Sequence, residues 1–264
     1  MTVERLSRAD EKLLFALRRR KEREVRRLFI AEGVRVAEEL IGAGVVLRMA
    51  LVSPSLEDTD RGRALAERLK ESGSVTVSEG ELARLAATET PQGVLLVAES
   101  PRLARQDIVL GDAATILVLD AIQDPGNFGT LVRAADAFRV AAIIALPGTV
   151  DAWNPKAVRA AAGSSFRVPI LFLEDDDALD WLKCEGFALW VAVADGQAVG
   201  GLARPDRTAL VIGNEGAGVR AVWRAAADAI VSVPVPGTVE SLNAAVAAGI
   251  LLYAITTEKR YRNG

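Results

Sequence analysis

The chain has 264 residues, half of them apolar, a formal net charge of −3, a single cysteine and no histidine. That length supports the core of one large or two ordinary domains. Without histidine there is no Ser-His-Asp or Cys-His triad, one cysteine forms no internal disulfide, and no transition-metal site is expected. Any catalysis must then rest on Arg, Lys, Asp, Glu, Ser, Asn, backbone groups or a bound cofactor. The lone Cys184 is expected to be a small buried hydrophobe rather than a nucleophile. The longest apolar runs, such as Ala244 to Ile255, fall short of the ~20 residues of a membrane span, and the N-terminus is charged, so a cytoplasmic protein is expected.

The charge is unevenly placed. Residues 1–35 hold eleven Lys or Arg against six Asp or Glu, leaving 21 basic against 29 acidic residues, a net of −8, in the remainder. Such asymmetry fits either an RNA-facing segment or a solvated helix face. In chain order, residues 5–27 are predicted as one basic amphipathic helix, with Ser7 and Asp10 placed like a capping box and Leu13, Leu14 and Leu17 forming an apolar stripe. Helices Gly33–Ile41, Arg61–Lys70 and Glu79–Ala87 alternate with strands Arg48–Ser53, Val75–Val77 and Gly93–Ala98, giving a small α/β domain over residues 1–98.

The polar stretch 99–112 is predicted as a linker, and a second domain, 113–264, follows. Its strands are expected at Ile116–Asp120, Ala141–Leu146, Ile170–Leu173, Ala188–Val193, Ala209–Ile212 and Ile230–Val233. Its helices are expected at Phe128–Phe138, Pro155–Ala162, Asp177–Cys184, Ala221–Ala226 and Leu242–Thr257. Continuous apolar strands alternating with helices imply a mostly parallel sheet covered on both faces. In the last helix, Leu242, Val246, Ile250, Tyr253 and Thr257 recur at helical spacing, as a core-facing stripe would.

Three loops of the second domain share one design, in which an apolar strand ends and small, Gly, Pro or Asn residues lead into a helix: DAIQDPGNFGTLVR (120–133), IGNEGAGV (212–219) and VPVPGTVESLN (233–243). In a parallel α/β sheet such loops gather at the carboxyl ends of the strands, where ligands bind. The order of glycines at 213, 216 and 218 is reversed from the dinucleotide fingerprint, so a Rossmann reading fails. Taken singly, Asn127 and Ser241 are readable as helix N-caps and Arg133 as the partner of Asp136 one turn on. Asn243 in a first helical turn and Glu215 in a glycine turn have no such explanation.

The segments DPGNFGTLVRAADAF, LVIGNEGAGV and VPVPGTVESLNAAVAAGI closely resemble the three motifs of the SpoU (TrmH-like) family of RNA ribose 2′-O-methyltransferases, of the SPOUT superfamily, over roughly residues 113–257. EGVRVAEELI and its surroundings resemble the substrate-binding domain that precedes those motifs in many members. The resemblance implies a SPOUT-type knotted α/β domain that binds S-adenosyl-L-methionine, acts as a homodimer and methylates RNA, ribosomal RNA in preference to transfer RNA. It places Asn127, Arg133, Glu215, Ser241 and Asn243 in the catalytic centre and Gly213, Val233 and Leu242 against the cofactor. The family's equivalent arginine has been assigned as a general base. Yet a guanidinium is neutral in only about one part in 10⁶ near pH 7, so a phosphate clamp that also stabilises alkoxide charge is the favoured role for Arg133. A transfer-RNA methyltransferase of the same fold and a non-catalytic RNA-binding or assembly protein are the alternatives.

Overall fold

The computed structural model describes residues 6–238 and 241–261, with side chains described to residue 257. Arg5 of the basic segment, and Val239 and Glu240 of the third loop, lie outside the described residues. The chain divides into two compact units: Met1–Arg102 with Asp151–Phe166, and Leu103–Val150 with Arg167–Gly264. The segment Asp151–Phe166, which sequence order assigns to the second domain, therefore packs with the first.

In the first unit, α1 (Arg8–Ala16) and α2 (Arg20–Arg26) replace the single helix expected over 5–27. Ser7 caps α1 by accepting from the Asp10 amide. The break at Leu17–Arg19 is held by Arg23, whose Nη1 donates to the Leu17 and Arg18 carbonyls at 2.8 and 2.9 Å. Arg23 itself is buried and ion-paired with buried Asp151 at 2.7 Å. Arg20 with Glu24 and Arg26 with Glu22 pair along the helix. Three of the eleven N-terminal cations are thus paired, and Arg23 is the one paired with a carboxylate from beyond the segment.

β1 (Leu28–Glu32), β2 (Leu47–Val52), β3 (Val75–Thr76) and β4 (Val94–Glu99) form a sheet in the order β1-β4-β2-β3, with β4 antiparallel to both neighbours and β2 parallel to β3. The helices α3 (Val34–Gly42), α4 (Asp60–Glu71) and α5 (Glu79–Leu85) connect these strands. From the second half of the sequence, α7 (Pro155–Ala161) packs on β1, and Phe29 stacks against Trp153 and Phe166 with ring centroids 4.8 and 5.9 Å apart.

The second unit is a six-stranded, wholly parallel sheet in the order β10-β8-β9-β5-β6-β7. Its strands are β5 (Ala114–Asp120), β6 (Ala142–Ala145), β7 (Ile170–Phe172), β8 (Ala188–Ala198), β9 (Arg207–Gly213) and β10 (Ala229–Ser232). The central β5 and β9 are almost entirely buried, as expected of a sheet with both faces covered. The helices are α6 (Pro125–Ala137), α8 (Asp175–Cys184), α9 (Ala221–Ala225) and α10 (Ala244–Tyr261).

Two sequence expectations are corrected here. Cys184 is exposed rather than buried, because α8 turns Ala178, Trp181 and Leu182 inward and ends at the cysteine. The stripe containing Val246, Ile250 and Tyr253 is also exposed, since α10 buries the opposite face through Ala245, Ala248, Leu251, Leu252 and Ile255. The small Ala245 and Ala248 let that face approach α6 and β9 closely. Among the described residues no helix is long and apolar enough to cross a membrane, and no cluster of three or more His, Cys, Asp or Glu is placed to hold a metal ion.

Candidate functional site

The carboxyl ends of β5, β9 and β10 carry the three motif loops, and residues from the second and third line a cavity of about 630 Å³ together with the middle of β8. The first loop begins with Ala121, held in the left-handed region at φ 56°, and turns into α6. Asp124 is the N-cap, accepting the Asn127 amide at 2.8 Å, and Pro125 opens the helix, where its missing N–H is not needed. Asn127 is therefore not the cap that its spacing allowed. It sits inside the first turn with its side chain free to reach outward.

The second loop is a tight turn built by Asn214. Its Oδ1 accepts from the Gly216 and Ala217 amides at 3.0 and 2.9 Å, and its Nδ2 donates to the Ala121 carbonyl at 2.9 Å, tying this loop to the first. A methyl group on Gly213 would collide with the backbone of Gly218 and Val219, so the turn closes on itself only with glycine there. Past the turn, Arg220 fixes the loop's exit. Its Nε donates to Asp120 Oδ1 at 2.5 Å, its amide to Asp120 Oδ2 at 2.7 Å, and its two terminal nitrogens to Asp175 at 2.8 and 2.6 Å. Asp175 also accepts from Trp223 Nε1 at 2.8 Å. Burial works against the Arg220 charge, but bonding to Asp120 and Asp175 outweighs it and raises its pKa further.

In the third loop, α10 begins at Ala244, not at Leu242, and its cap is Asn243, whose Oδ1 accepts from the Ala245 and Val246 amides at 3.0 and 3.3 Å. Ser241, expected as a possible cap, instead precedes the cap and lines the cavity. Asn243 has a second task. Its Nδ2 donates to Asn127 Oδ1 at 3.0 Å, and Asn127 Nδ2 in turn donates to Glu215 Oε1 at 2.8 Å. One side chain from each motif thus joins a continuous hydrogen-bonded chain whose amide orientations are mutually fixed.

The structure therefore brings Gly213, Glu215, Val233, Ser241, Leu242 and Asn243 to the cavity wall, with Asn127 bonded directly behind Glu215 and Asn243. Arg133 is not on that wall. It lies six residues further along α6, exposed, and the partnership with Asp136 allowed by sequence is not made, because Arg167 occupies Asp136 at 2.7 and 2.9 Å. Sequence reasoning did not foresee Ala192, Val193 and Ala194 as lining residues, since it looked for the site in the three motif loops and β8, expected to end at Val193, runs on to Ala198. It also missed Asn214, although an Asn two residues before a glycine in a loop is a readable turn signal.

The cavity combines two kinds of surface. Val193, Ile212, Ala247 and Leu251 offer apolar walls, and the turns at 213–218 and 233–235 offer backbone groups. This suits a flat heteroaromatic ring bound through main-chain contacts, with polar side chains at one side for an attached polar chain.

Residues 114–253 match the SpoU rRNA methylase family, and residues 12–96 match the MRM3-like substrate binding domain. The 23S rRNA (guanosine(2553)-2′-O)-methyltransferase RlmP of Bacillus subtilis is 35% identical over 238 residues, spanning 90% of this chain and 92% of its own length. Among solved structures, the SpoU methyltransferase AviRb of Streptomyces viridochromogenes, in complex with AdoMet, superposes with a TM-score of 0.85 at 27% identity over 97% of this chain and 99% of that one. An AdoMet-bound rRNA methyltransferase from Sinorhizobium meliloti gives a TM-score of 0.83 at 27% identity, covering 98% of this chain and 97% of that one.

Proposed function

Because the chain belongs to the SpoU rRNA methylase family, we propose that it transfers the methyl group of S-adenosyl-L-methionine to a ribose 2′-hydroxyl in ribosomal RNA of the 23S type. The observation that carries this reading is the cavity lined by the second and third motif loops, to which the Asn243–Asn127–Glu215 hydrogen-bonded chain ties the first. S-adenosyl-L-methionine supplies an activated methyl on a sulfonium, so neither a metal nor a histidine is required.

The chain's own residues then have to hold and align. Gly213, Val233 and Leu242 hold the cofactor through backbone and apolar contacts, and the Asn214 turn keeps the second loop in place. Asn127, Ser241 and Asn243 orient the ribose hydroxyl, and Glu215 anchors the reacting nucleotide from the loop opposite. In-line placement of this kind lowers a barrier by as much as ~7–11 kcal/mol, which makes positioning the leading contribution. Arg133, exposed and with no ion-pair partner among the described residues, grips the adjacent phosphate and stabilises developing alkoxide charge, while phosphate or water receives the proton.

Two further expectations belong with this reading. The exposed Val246, Ile250 and Tyr253 on α10 supply an apolar face for a homodimer, and light scattering at micromolar concentration should read twice the chain mass. A knotted second unit and a cytoplasmic location, where ribosomal RNA is modified, complete it.

The test uses the full chain, S-adenosyl-L-methionine with a labelled methyl, and 23S rRNA from cells lacking this gene. Label is expected at one ribose, detected as a backbone linkage resistant to alkali. Cofactor binding by titration calorimetry with no methyl transfer to 23S or transfer RNA would overturn the enzymatic reading in favour of an RNA-binding assembly protein.

A further inference from the structure

The first unit holds a second cavity, of about 640 Å³, lined by residues of β1, α3, α7 and the segment between α5 and β4. Its size falls in the ~300–1,000 Å³ range of pockets that hold a small organic molecule. Two guanidinium groups, Arg35 on the first turn of α3 and Arg159 on α7, stand on its wall, both exposed and neither ion-paired among the described residues. This contrasts with other arginines of the same unit, including Arg20, Arg23, Arg26, Arg61 and Arg84, each of which meets a carboxylate.

The acidic groups of the cavity are of two kinds. Glu32 is buried and already satisfied, its carboxylate accepting the Ala87 and Thr88 amides at 2.7 and 3.1 Å. Glu89 is exposed and its carboxylate is bonded to nothing among the described residues. Thr88, held by the amide bond to Glu32, has a hydroxyl shut off from solvent without a hydrogen-bond partner. Gln92 completes the wall, its Oε1 accepting from the Val34 amide at 3.1 Å, which leaves the two Nε2 hydrogens for a ligand.

From this arrangement we infer that the cavity is a nucleotide subsite of the first unit, taking one unstacked nucleotide of the substrate RNA with its phosphate on Arg35 and Arg159 and its base edge toward Glu89 and Gln92. A free inorganic anion fits less well, because it would meet the guanidiniums and the Glu89 carboxylate together. A nucleotide separates the two demands, since its negative charge sits at one end and the amino or imino donors of its base at the other. Single-stranded RNA is the form that exposes such an edge. Two unpaired guanidiniums also match the planar, bidentate geometry of phosphate better than lysines would.

This inference rests on the proposed RNA methyltransferase function, and its test separates the two. Full-length Arg35→Glu, Arg159→Glu and the double variant are compared with wild type in methyl transfer to 23S rRNA from cells lacking this gene, and S-adenosyl-L-methionine affinity is measured on each. The double variant should raise KM for the RNA tenfold or more with kcat at saturation and cofactor affinity within twofold of wild type. Its RNA affinity should also depend less steeply on salt, by about 0.7 in log-log slope per lost phosphate contact. Arg35→Lys should recover part of the loss.

Should Arg159→Glu fail to fold, Arg35→Glu alone decides, since that side chain is exposed and carries no bond among the described residues. A KM and salt slope unchanged in Arg35→Glu, or in the folded double variant, overturn the subsite while leaving the enzymatic function standing. A wild type that binds the cofactor and methylates no RNA overturns both.

Discussion

Arg220 and Arg133 both stand beside motif loops of the second unit, and they are in opposite states. Arg220 is committed: its guanidinium spans Asp120, fully buried at the end of β5, and Asp175 at the start of α8, and even its backbone amide is used. Arg133 is uncommitted, because the carboxylate one turn away from it on α6 is taken by Arg167. The difference separates charge that holds loops in place from charge left over for a ligand. It also shows why spacing in sequence misleads, since the i,i+3 partner of an arginine is available only if nothing further away competes for it.

Breaking the committed side should have the larger effect. Arg220→Met keeps the aliphatic stem and removes the charge, leaving the Asp120 carboxylate buried beside an uncharged neighbour. Removing one partner of a fully buried ion pair costs about 3–5 kcal/mol. With the Arg220 side chain 37% exposed and only Asp120 fully buried, denaturant unfolding should shift by the low end of that, about 3 kcal/mol, with Arg220→Lys intermediate. A variant as stable as wild type would mean that the bonds from the residue 220 amide to Asp120 and from Trp223 to Asp175 suffice without the guanidinium.

On the uncommitted side, Arg133→Lys should leave the unfolding midpoint where it is and lower kcat/KM for RNA about 10²-fold, equivalent to about 2.7 kcal/mol of transition-state stabilisation. Lysine keeps the charge and loses the fork, so the loss would report bidentate geometry. Turnover near that of wild type would remove Arg133 from the clamp, and a shifted midpoint would mean that the arginine is committed after all.

The same contrast accounts for what was legible in the chain. Strand and helix periodicity placed nearly every element of both units, because the buried strands are continuous apolar runs and most helices have one apolar face. The three motif loops were legible for a related reason: Gly213 is needed sterically, and Asp124-Pro125 is a cap followed by a helix-starting proline. Contacts distant in sequence were not legible. Arg23 and Asp151 are 128 positions apart, and that buried pair, with Phe29 against Trp153, draws the 151–166 segment into the first unit. Arg23 also reaches back to the Leu17 and Arg18 carbonyls, where the basic segment divides into two helices instead of the one expected. On α10, periodicity located a stripe but not which face was buried, because alanines pack as well as larger residues where helices come close.

The smallest expected effect concerns committed charge at the surface, where solvent competes. Glu79, at the start of α5, accepts from Ser53 Oγ and Ser55 Oγ at 2.9 Å each and from the Ser55 amide at 2.7 Å. Partial burial pushes its pKa up, but the Ser55 amide and the two hydroxyls outweigh that and hold it below the usual glutamate value. A carboxylate depressed in the folded state adds stability that is fully present above its unfolded pKa and is lost as pH falls through its folded pKa. Glu79→Gln should therefore be less stable than wild type near neutral pH, by no more than about 1 kcal/mol at so exposed a site. The two unfolding curves should converge as pH drops through and below the glutamate range. A difference that persists undiminished in acid would assign the loss to altered packing at the Ser53–Ser55 turn rather than to the charge, and would place Glu79 outside the committed class that Arg220 exemplifies.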